Sequence, residues 1–274
     1  MVQADLAPGD AKCVGLDSRG VELHYIRSRE DPLFETAFQM LWEEFGAKGE
    51  MESIDVIVRR LAWKPEPRST GEFLCYELLL LTHDDVPIAV RDHTAMVDPG
   101  FSQAVVHMSH NLVSVPWRRT GIAGWMRALP IQAARACMDQ AAISQPLPVT
   151  LVAEMEPADP TDPDRTTRLA AYGKAGYWKV DPQRVQYVQP DFRTPDEIDA
   201  SGGPCPLPLC LLVRRIGREN ERSISGWEVR EIADLLYRMY AAEFRDADMR
   251  PVIASLDAYP PAADAIPLVQ PPLP

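Results

Sequence analysis

The segment from His110 to Met126, HNLVSVPWRRTGIAGWM, runs from a predicted strand through a short turn into a predicted helix. Val113 and Val115 belong to the strand side, and Arg118 and Arg119 precede two glycines in the turn. The first amides of a helix lack internal acceptors, and the helix dipole favours negative charge there. Glycine permits close approach of the backbone, and arginine supplies charge. The segment therefore predicts a phosphate-binding cradle, with a solvated turn that caps a helix as the alternative.

Composition restricts the classes of function. A chain of 274 residues with 46% hydrophobic content suits one elaborated domain, or one domain with a small appendage. The formal net charge of -12 argues against sequence-independent nucleic-acid binding, which needs clustered lysine and arginine. We expect no nucleic-acid partner. The acidic balance fits a cationic or neutral substrate, although acidity also serves solubility.

Segments for membrane insertion or export are not evident. No apolar run reaches transmembrane length, and the first residues lack a secretory pattern, so we expect a cytoplasmic protein with no membrane partner. The five cysteines are scattered and odd in number, which indicates core thiols in a reducing compartment. Cys205 and Cys210 form the one close pair, and no histidine or third cysteine is near them. We therefore expect no metal site.

The first hundred residues alternate between strand and helix patterns. A strand is predicted over 21–28, a helix from Asp31-Pro32 to Gly46, and a second short helix over 54–61. An acidic stretch, Glu43 to Asp55, has two interpretations: a solvated face, or an attractive wall for a substrate amine. Apolar runs at 72–82 and 86–97 then predict an antiparallel pair.

The strand predicted over 104–115 leads into the cradle. Alternation puts His107 and His110 on opposite faces, so they cannot share a metal. Each is most simply a hydrogen-bonded interior histidine, although His107, beside Ser109, is also a candidate base. The helix that follows, 121–142, contains Pro130, which removes one backbone hydrogen bond and predicts a kink near Ala128.

The next strand, 149–156, carries Glu154 and Glu156 on one face. Two carboxylates at the end of a strand can include a general base, and we take Glu154 as the candidate. The alternative is a strand that emerges into solvent. A helix is predicted from an N-cap at Asp162 to Gly176, and two more strands at 183–189 and 207–216.

The C-terminal part predicts a helix after the capping-box spacing of Ser225 and Glu228. Its apolar stripe is a docking face on the domain or a contact in a homodimer; it comprises Trp227, Ile232, Leu235, Leu236, Met239, Tyr240 and Phe244. Residues 1–20 are expected to be flexible. The proline-rich tail, 258–274, is expected to be extended or disordered.

Two motifs resemble the GNAT acetyltransferase superfamily. The spacing Arg118-x-x-Gly121-x-Ala123 resembles its pyrophosphate signature, and AYGKAGY, ending at Tyr177, is similar to its late motif of a tyrosine before Gly-Phe. The order of predicted elements also resembles that family over residues 21–216. The resemblance implies an α/β (α+β) fold with a mixed, mostly antiparallel central sheet flanked by helices. Residues 217–257 then form a C-terminal helical extension.

The resemblance also implies roles for individual residues. The backbone of Val113 and Val115 would pair with the pantetheine amides of acetyl-CoA, and Tyr172 would protonate the departing thiolate. The pyrophosphate would be held by Arg118, Arg119, Thr120, Gly121, Ile122, Ala123 and Gly124. The chain departs from the family pattern at three positions: Pro116 lies one place late, Arg165 replaces an asparagine, and Tyr177 replaces a phenylalanine.

The implied activity is acetyl-CoA-dependent N-acetylation of a small, cationic amine acceptor by direct attack in a ternary complex. Such attack needs a neutral amine, hence a base such as Glu154, and a donor for the oxyanion. No covalent intermediate is required, which is consistent with the lack of a Gly-x-Ser-x-Gly elbow. One alternative is an acyl-CoA-binding module without catalysis. Another is a transferase of longer acyl chains, with Pro130 and the terminal helix shaping an acyl tunnel.

Overall fold

A computed structural model describes residues 5–272, without the side chains of Pro8, Ala11, Lys12, Val14 and Ala47. The chain divides into two compact units. The first unit comprises Met1–Val97 and Val106–Pro146, and the second comprises Asp98–Val105 and Leu147–Pro274. This division falls inside the single domain predicted over residues 21–216, and the predicted extension from residue 217 belongs to the second unit.

The first unit contains a run of antiparallel strands. Strand β1 (Val21–Ile26) pairs with β2 (Phe73–His83), and β2 pairs with β3 (Val86–Val97). Strand β4 (Ala104–Val113) follows β3 in the sheet order. The turn between β2 and β3 is tight, with positive φ at Asp84 and Asp85, as two-residue hairpin turns require.

Three helices cover the two faces of these strands: α1 (Phe34–Phe45), α2 (Ile54–Leu61) and α3 (Ile122–Gln140). Because side chains alternate along a strand, neighbouring residues of β2 face different helices. Leu78 and Leu80 pack against α1 and α2 in one apolar core. Leu81 packs with Ile122 and Met126 of α3 in another. Pro130 lies inside α3, as predicted.

The N-terminal segment departs from the predicted flexible tail. Pro8–Gly15 form short 3-10 turns, and the segment is held to α3 by buried acids. Asp5 accepts hydrogen bonds from Gln132 at 2.7 Å and Arg135 at 2.8 Å, and Asp10 pairs with Arg127. The anchors are charged rather than apolar, so hydrophobic patterning did not reveal them. Residues 1–4 lie outside the described part of the chain.

The second unit is built on six strands: β5 (Val149–Met155), β6 (Trp178–Val180), β7 (Tyr187–Gln189), β8 (Leu207–Arg215), β9 (Ser223–Ser225) and β10 (Ala265–Val269). Their order is β5-β8-β6-β10-β9, and β7 also pairs with β8. The recorded pairings within this unit are antiparallel. Strand β6 was not predicted. Of the strand predicted over 183–189, only the three residues of β7 are in strand conformation.

Four helices complete the second unit: α4 (Pro163–Lys174), α5 (Pro195–Ala200), α6 (Gly226–Ala241) and α7 (Asp246–Ala254). Asp162 caps α4, and Ser225 with Glu228 forms the predicted capping box of α6. The α6 stripe is buried within this unit at Ile232, Leu235, Leu236, Met239 and Tyr240, whereas Trp227 remains 51% exposed. The stripe is therefore a docking face inside the unit.

The proline-rich tail is ordered, contrary to the prediction. Strand β10 pairs with β6 on one side and with β9 on the other, and it buries Ile266 and Leu268. Its side chains alternate between exposed and buried, with Pro267 on the exposed side. The abundance of proline concealed this period-two pattern. Residues 273–274 lie outside the described part of the chain.

The predicted fold class is confirmed, because antiparallel strands with flanking helices form both units and helices α6 and α7 follow residue 217. None of the helices within residues 5–272 combines the length and apolar character needed to span a membrane.

Candidate functional site

The predicted cradle begins where β4 ends at Val113. The Nε of Arg118 donates a hydrogen bond of 3.2 Å to the carbonyl of Val113, and the Arg118 amide donates to the carbonyl of Val115. Val115 lies in a short 3-10 turn, Val115–Trp117, and is 69% exposed. The strand therefore ends two residues earlier than predicted, and both carbonyls already accept hydrogen bonds from Arg118.

The turn before α3 presents a row of unused amides. Arg119 and Gly121 have positive φ values of 66° and 113°. Left-handed residues within a turn point successive N–H groups toward one side, as in anion-binding nests. Within residues 5–272, the amides of Arg119, Thr120, Gly121 and Ala123 have no recorded acceptor. The amide of Ile122 has only a 3.5 Å contact with the hydroxyl of Thr120.

Two exposed guanidinium groups stand at this turn. The Nε of Arg118 is engaged by the carbonyl of Val113, whereas the side chain of Arg119 has no partner in the described part of the chain. Thr120 donates a hydrogen bond of 2.7 Å to the carbonyl of Trp117, which closes the turn. The ring of Trp117 packs on His83 with centroids 4.8 Å apart. Open amides, free positive charge and a braced backbone together fit a pyrophosphate-sized anion.

Gly124 has a packing role that the sequence did not indicate. The thiol of Cys13 donates a hydrogen bond of 2.9 Å to the carbonyl of Gly121. A Cβ at Gly124 would overlap the sulfur of Cys13 and approach Asp10 to within 2.8 Å. The N-terminal segment therefore rests directly on the first turn of α3. Gly124 is needed so that the side chains of Cys13 and Asp10 can approach the helix backbone.

Tyr172 lies in the last turn of α4, at the predicted position. Its ring packs edge-on against Tyr177, with centroids 4.9 Å apart at an interplanar angle of 69°. Gly176, with φ of 82°, ends the helix, and the amide of Tyr177 bonds to the carbonyl of Tyr172. The Tyr172 hydroxyl has no recorded hydrogen-bond partner among the residues described. Its side chain is half-buried.

Glu154, on β5, is surrounded by donors from the second unit. Tyr240 of α6 donates at 2.6 Å, Gln189 donates at 3.0 Å, and Tyr187 donates to the other carboxylate oxygen. Burial and the charge of Glu154 raise the pKa of Tyr187 well above its ordinary value. Sequence analysis did not find these donors, because they come from elements distant along the chain.

Glu156 has ion-pair partners of its own, separate from the donors to Glu154. It pairs with Arg165 at 2.7 Å and with Arg168 at 3.0 Å. The two carboxylates were predicted on one strand face, and each has its own set of donors. Arg165 of α4 thus pairs with a carboxylate that follows β5 in the chain.

His110 belongs to a buried network rather than an open site. Its Nδ1 lies 2.9 Å from Asp92, its Nε2 lies 3.0 Å from the carbonyl of Glu50, and Tyr76 donates to Asp92 at 3.1 Å. Burial alone would lower the pKa of His110, but the charge and hydrogen bond of Asp92 raise it to about 9. Burial likewise opposes ionisation of Asp92, yet His110 holds the pKa of that carboxyl well below its usual range.

His107 contacts Ser109 through its Nδ1 at 3.0 Å and is buried.

The acidic stretch 43–55 is divided between two environments. Glu44 pairs with Lys48 at 2.8 Å near the surface, whereas the side chain of Glu52 is buried against Arg60 at 2.5 Å. No group of three or more metal-ligating side chains occurs within residues 5–272.

No family model matches the sequence, and no curated protein matches it. Similar solved structures include Naa50 of Arabidopsis thaliana with a bisubstrate analogue, at 13% identity and a TM-score of 0.40 over 71% of this chain and 98% of that one. Ard1 from Thermoplasma volcanium shares 14% identity at a TM-score of 0.38, over 72% and 98%. The yncA protein of Salmonella typhimurium, solved with acetyl-CoA, shares 13% identity at 0.37, over 72% and 94%.

Proposed function

We propose that this protein is an acetyl-CoA-dependent N-acetyltransferase whose turn between β4 and α3 binds the pyrophosphate of the acyl donor. The observation that carries the proposal is the row of amides from Arg119 to Ala123, four of which have no acceptor among residues 5–272. Two exposed arginines adjoin them. The spacing Arg118-x-x-Gly121-x-Ala123 also resembles the pyrophosphate signature of the GNAT superfamily.

The cradle would bind a dianion through backbone amides and one guanidinium group. Arg119 holds a left-handed backbone although it is not glycine, a conformation that costs about 1–2 kcal/mol for a residue with a Cβ. A strained residue at a candidate binding turn is consistent with a functional constraint. The backbone amides would contact phosphate oxygens, and the guanidinium of Arg119 is free to form a charge-assisted pair.

In this proposal Tyr172 is the general acid. The role comes from the similarity of AYGKAGY to the late motif of the family, and the free hydroxyl of Tyr172 supports it. As the bond between carbon and sulfur breaks, the phenol would give its proton to the thiolate leaving group. The stabilisation then belongs to the transition state and raises kcat rather than affinity.

Glu154 is the proposed base for the acceptor amine. Its carboxylate receives hydrogen bonds from Tyr240, Gln189 and Tyr187, so proton transfer to Glu154 would displace one of these donors. The acceptor class that we propose is a small amine. The formal net charge of -12 favours approach of a cation over that of an anion.

One pair of measurements tests the proposal. Isothermal titration calorimetry with CoA reports binding, and a thiol-release assay with acetyl-CoA over a library of amines reports turnover. We expect saturable CoA binding and amine-dependent release of the thiol. A chain that binds neither CoA nor acetyl-CoA would exclude both the donor site and the reaction.

A second candidate function is an acyl-CoA-binding module that does not catalyse transfer. The occupied carboxylate of Glu154 favours it, because three donors already fill most of the roughly four acceptor sites of a carboxylate. CoA binding at normal affinity, without thiol release for any amine between pH 6 and pH 9, would select this module over the enzyme.

A further inference from the structure

Two cysteines of the first unit face each other across the contact between a strand and a helix. Cys75 lies in β2 and is the register partner of Ala95 in β3. The sulfur of Cys137, in α3, lies 3.8 Å from the carbonyl oxygens of both Phe73 and Ala95. Phe73 lies on the same strand face as Cys75, and Ala95 lies opposite Cys75, so the sulfur of Cys137 sits over the backbone that flanks Cys75.

Gln140 fixes the position of the Cys75 thiol. Cys75 donates a hydrogen bond of 3.0 Å to the side-chain oxygen of Gln140. Residues three apart lie on one face of a helix, so Gln140 and Cys137 present their side chains to the same patch of β2. The Cys75 thiol is therefore held toward the part of α3 that carries Cys137.

The two thiols differ in their access to solvent. Cys137 is fully buried, whereas Cys75 is half-buried and lines a cleft of about 250 Å³ together with Trp63 and Gln140. The cleft adjoins the end of β2, because β1 stops at Ile26, opposite Leu78. A small reagent that enters the cleft therefore meets Cys75 first. The neighbouring Cys75 thiol, together with burial, raises the pKa of Cys137.

We propose that Cys75 and Cys137 form a reversible disulfide modification site, oxidised by a small peroxide that enters through the cleft. The thiolate of Cys75 attacks one peroxide oxygen, so that an S–O bond forms, the O–O bond breaks and one water leaves after protonation. Cys137 then loses its proton and attacks the sulfur of Cys75. An S–S bond forms, the S–O bond breaks and a second water leaves. The two thiols lose two electrons in total, and the peroxide gains them.

The disulfide would connect β2 to the C-terminal end of α3, the helix whose first turn carries the cradle. A bridge between residues 75 and 137 closes a long loop and restricts the unfolded chain. The oxidised protein should therefore melt at a higher temperature than the reduced protein, and a thiol reductant should reverse the shift.

The test treats the folded, full-length chain with hydrogen peroxide near stoichiometry, then blocks free thiols under denaturing conditions and maps the peptides by mass spectrometry. We expect the peptides of Cys75 and Cys137 to be linked, with three of the five thiols alkylated. Dithiothreitol should restore all five. C75S and C137S should each abolish the link, whereas C210S, at a buried thiol of the second unit, should leave it unchanged.

Three results would overturn the proposal. One is oxidation of Cys75 to sulfinic or sulfonic acid while Cys137 stays alkylated, because the neighbouring thiol would then not have resolved the sulfenic acid. Another is a link from either cysteine to Cys13 or Cys205 in the folded protein. The third is complete alkylation of both cysteines after peroxide treatment. CoA binding by the C75S and C137S variants is a separate measurement and does not bear on this result.

Discussion

The hydroxyl of Tyr240 donates a hydrogen bond of 2.6 Å to the carboxylate of Glu154, which joins helix α6 to strand β5. Helix α6 lies beyond residue 216, outside the part of the chain that resembles the GNAT superfamily. The C-terminal extension therefore supplies a donor to the candidate base and does more than cover an apolar face. We expect this contact to matter for stability and for the pH dependence of any transfer reaction.

Removal of the Tyr240 hydroxyl should destabilise the protein. Tyr240→Phe keeps the ring contacts with Phe192 and Phe244 but deletes a hydrogen bond to a charged group, which is worth about 1.5–3 kcal/mol. We expect urea unfolding to show a loss of that size. Tyr172→Phe is the matched control, because its hydroxyl has no hydrogen-bond partner within residues 5–272 and its removal should cost little. Equal losses in both variants would contradict a special role for the bond to Glu154.

Tyr172→Phe should separate catalysis from binding. The substitution retains the edge-on packing with Tyr177 and removes only a hydroxyl without a recorded partner in the described chain. General acid catalysis contributes about 10²–10⁴-fold, so we expect kcat to fall by that factor. The CoA affinity and Tm should remain close to those of the wild type. A lower Tm with kcat retained would show that the hydroxyl is a structural donor and not the acid.

Gly124→Ala should affect stability more than CoA affinity. The added methyl group would overlap Cys13 and crowd Asp10, and overpacking of this kind costs about 1–3 kcal/mol. Gly15→Ala is the control, because a Cβ there meets no atom within 4 Å. We expect chemical unfolding to show the loss for Gly124→Ala alone. An unchanged unfolding free energy with a large loss of CoA affinity would indicate that Gly124 contacts phosphate and does not act through packing.

The pair of Asp92 and His110 should make stability fall at alkaline pH. The folded-state pKa of His110 is about 9, above its ordinary 6.5, so the folded protein binds more protons between these values than the unfolded chain does. The contribution is fully present below pH 6.5 and is lost as pH rises through 9. Its size is on the order of 3 kcal/mol. Asp92 acts in the opposite sense, because its depressed pKa gives stability above its ordinary value that is lost in acid.

Urea unfolding at pH 6 and pH 9, for the wild type and His110→Gln, measures this effect. We expect the wild type to lose stability across this interval and the variant to lose much less. Nitrogen NMR of the imidazole gives a second measurement that needs no variant. A neutral ring of His110 at pH 7.5 would contradict the ion pair.

Local signals predicted most of the elements correctly, including α2 over 54–61 and β3 over 86–97. Capping chemistry located the starts of α4 and α6, because Asp162 and Ser225 satisfy helix amides within three residues of themselves. These features depend on neighbours along the chain, and the sequence shows such neighbours directly.

Long-range contacts account for the failures. The N-terminal segment is anchored to α3 by Asp5 and Asp10, whose partners lie more than a hundred residues away. Strand β10 pairs with β6 and β9, and its proline content suggested disorder. The donors to Glu154 come from β7 and α6, and no spacing rule connects elements so far apart. The turn between β4 and α3 could be located because its residues are contiguous, and phosphate binding there stays a prediction.

CoA-induced thermal stabilisation of the double variant Arg118→Glu/Arg119→Glu tests the cradle most directly. A ligand that binds only the folded chain raises Tm by mass action, and the loss of two charge-assisted contacts should weaken CoA binding by about 100-fold or more. Arg29→Glu/Arg250→Glu changes the net charge equally at two exposed arginines and should retain the wild-type shift. We predict that the shift disappears in the cradle variant alone. A full shift in that variant would contradict CoA binding at the turn between β4 and α3.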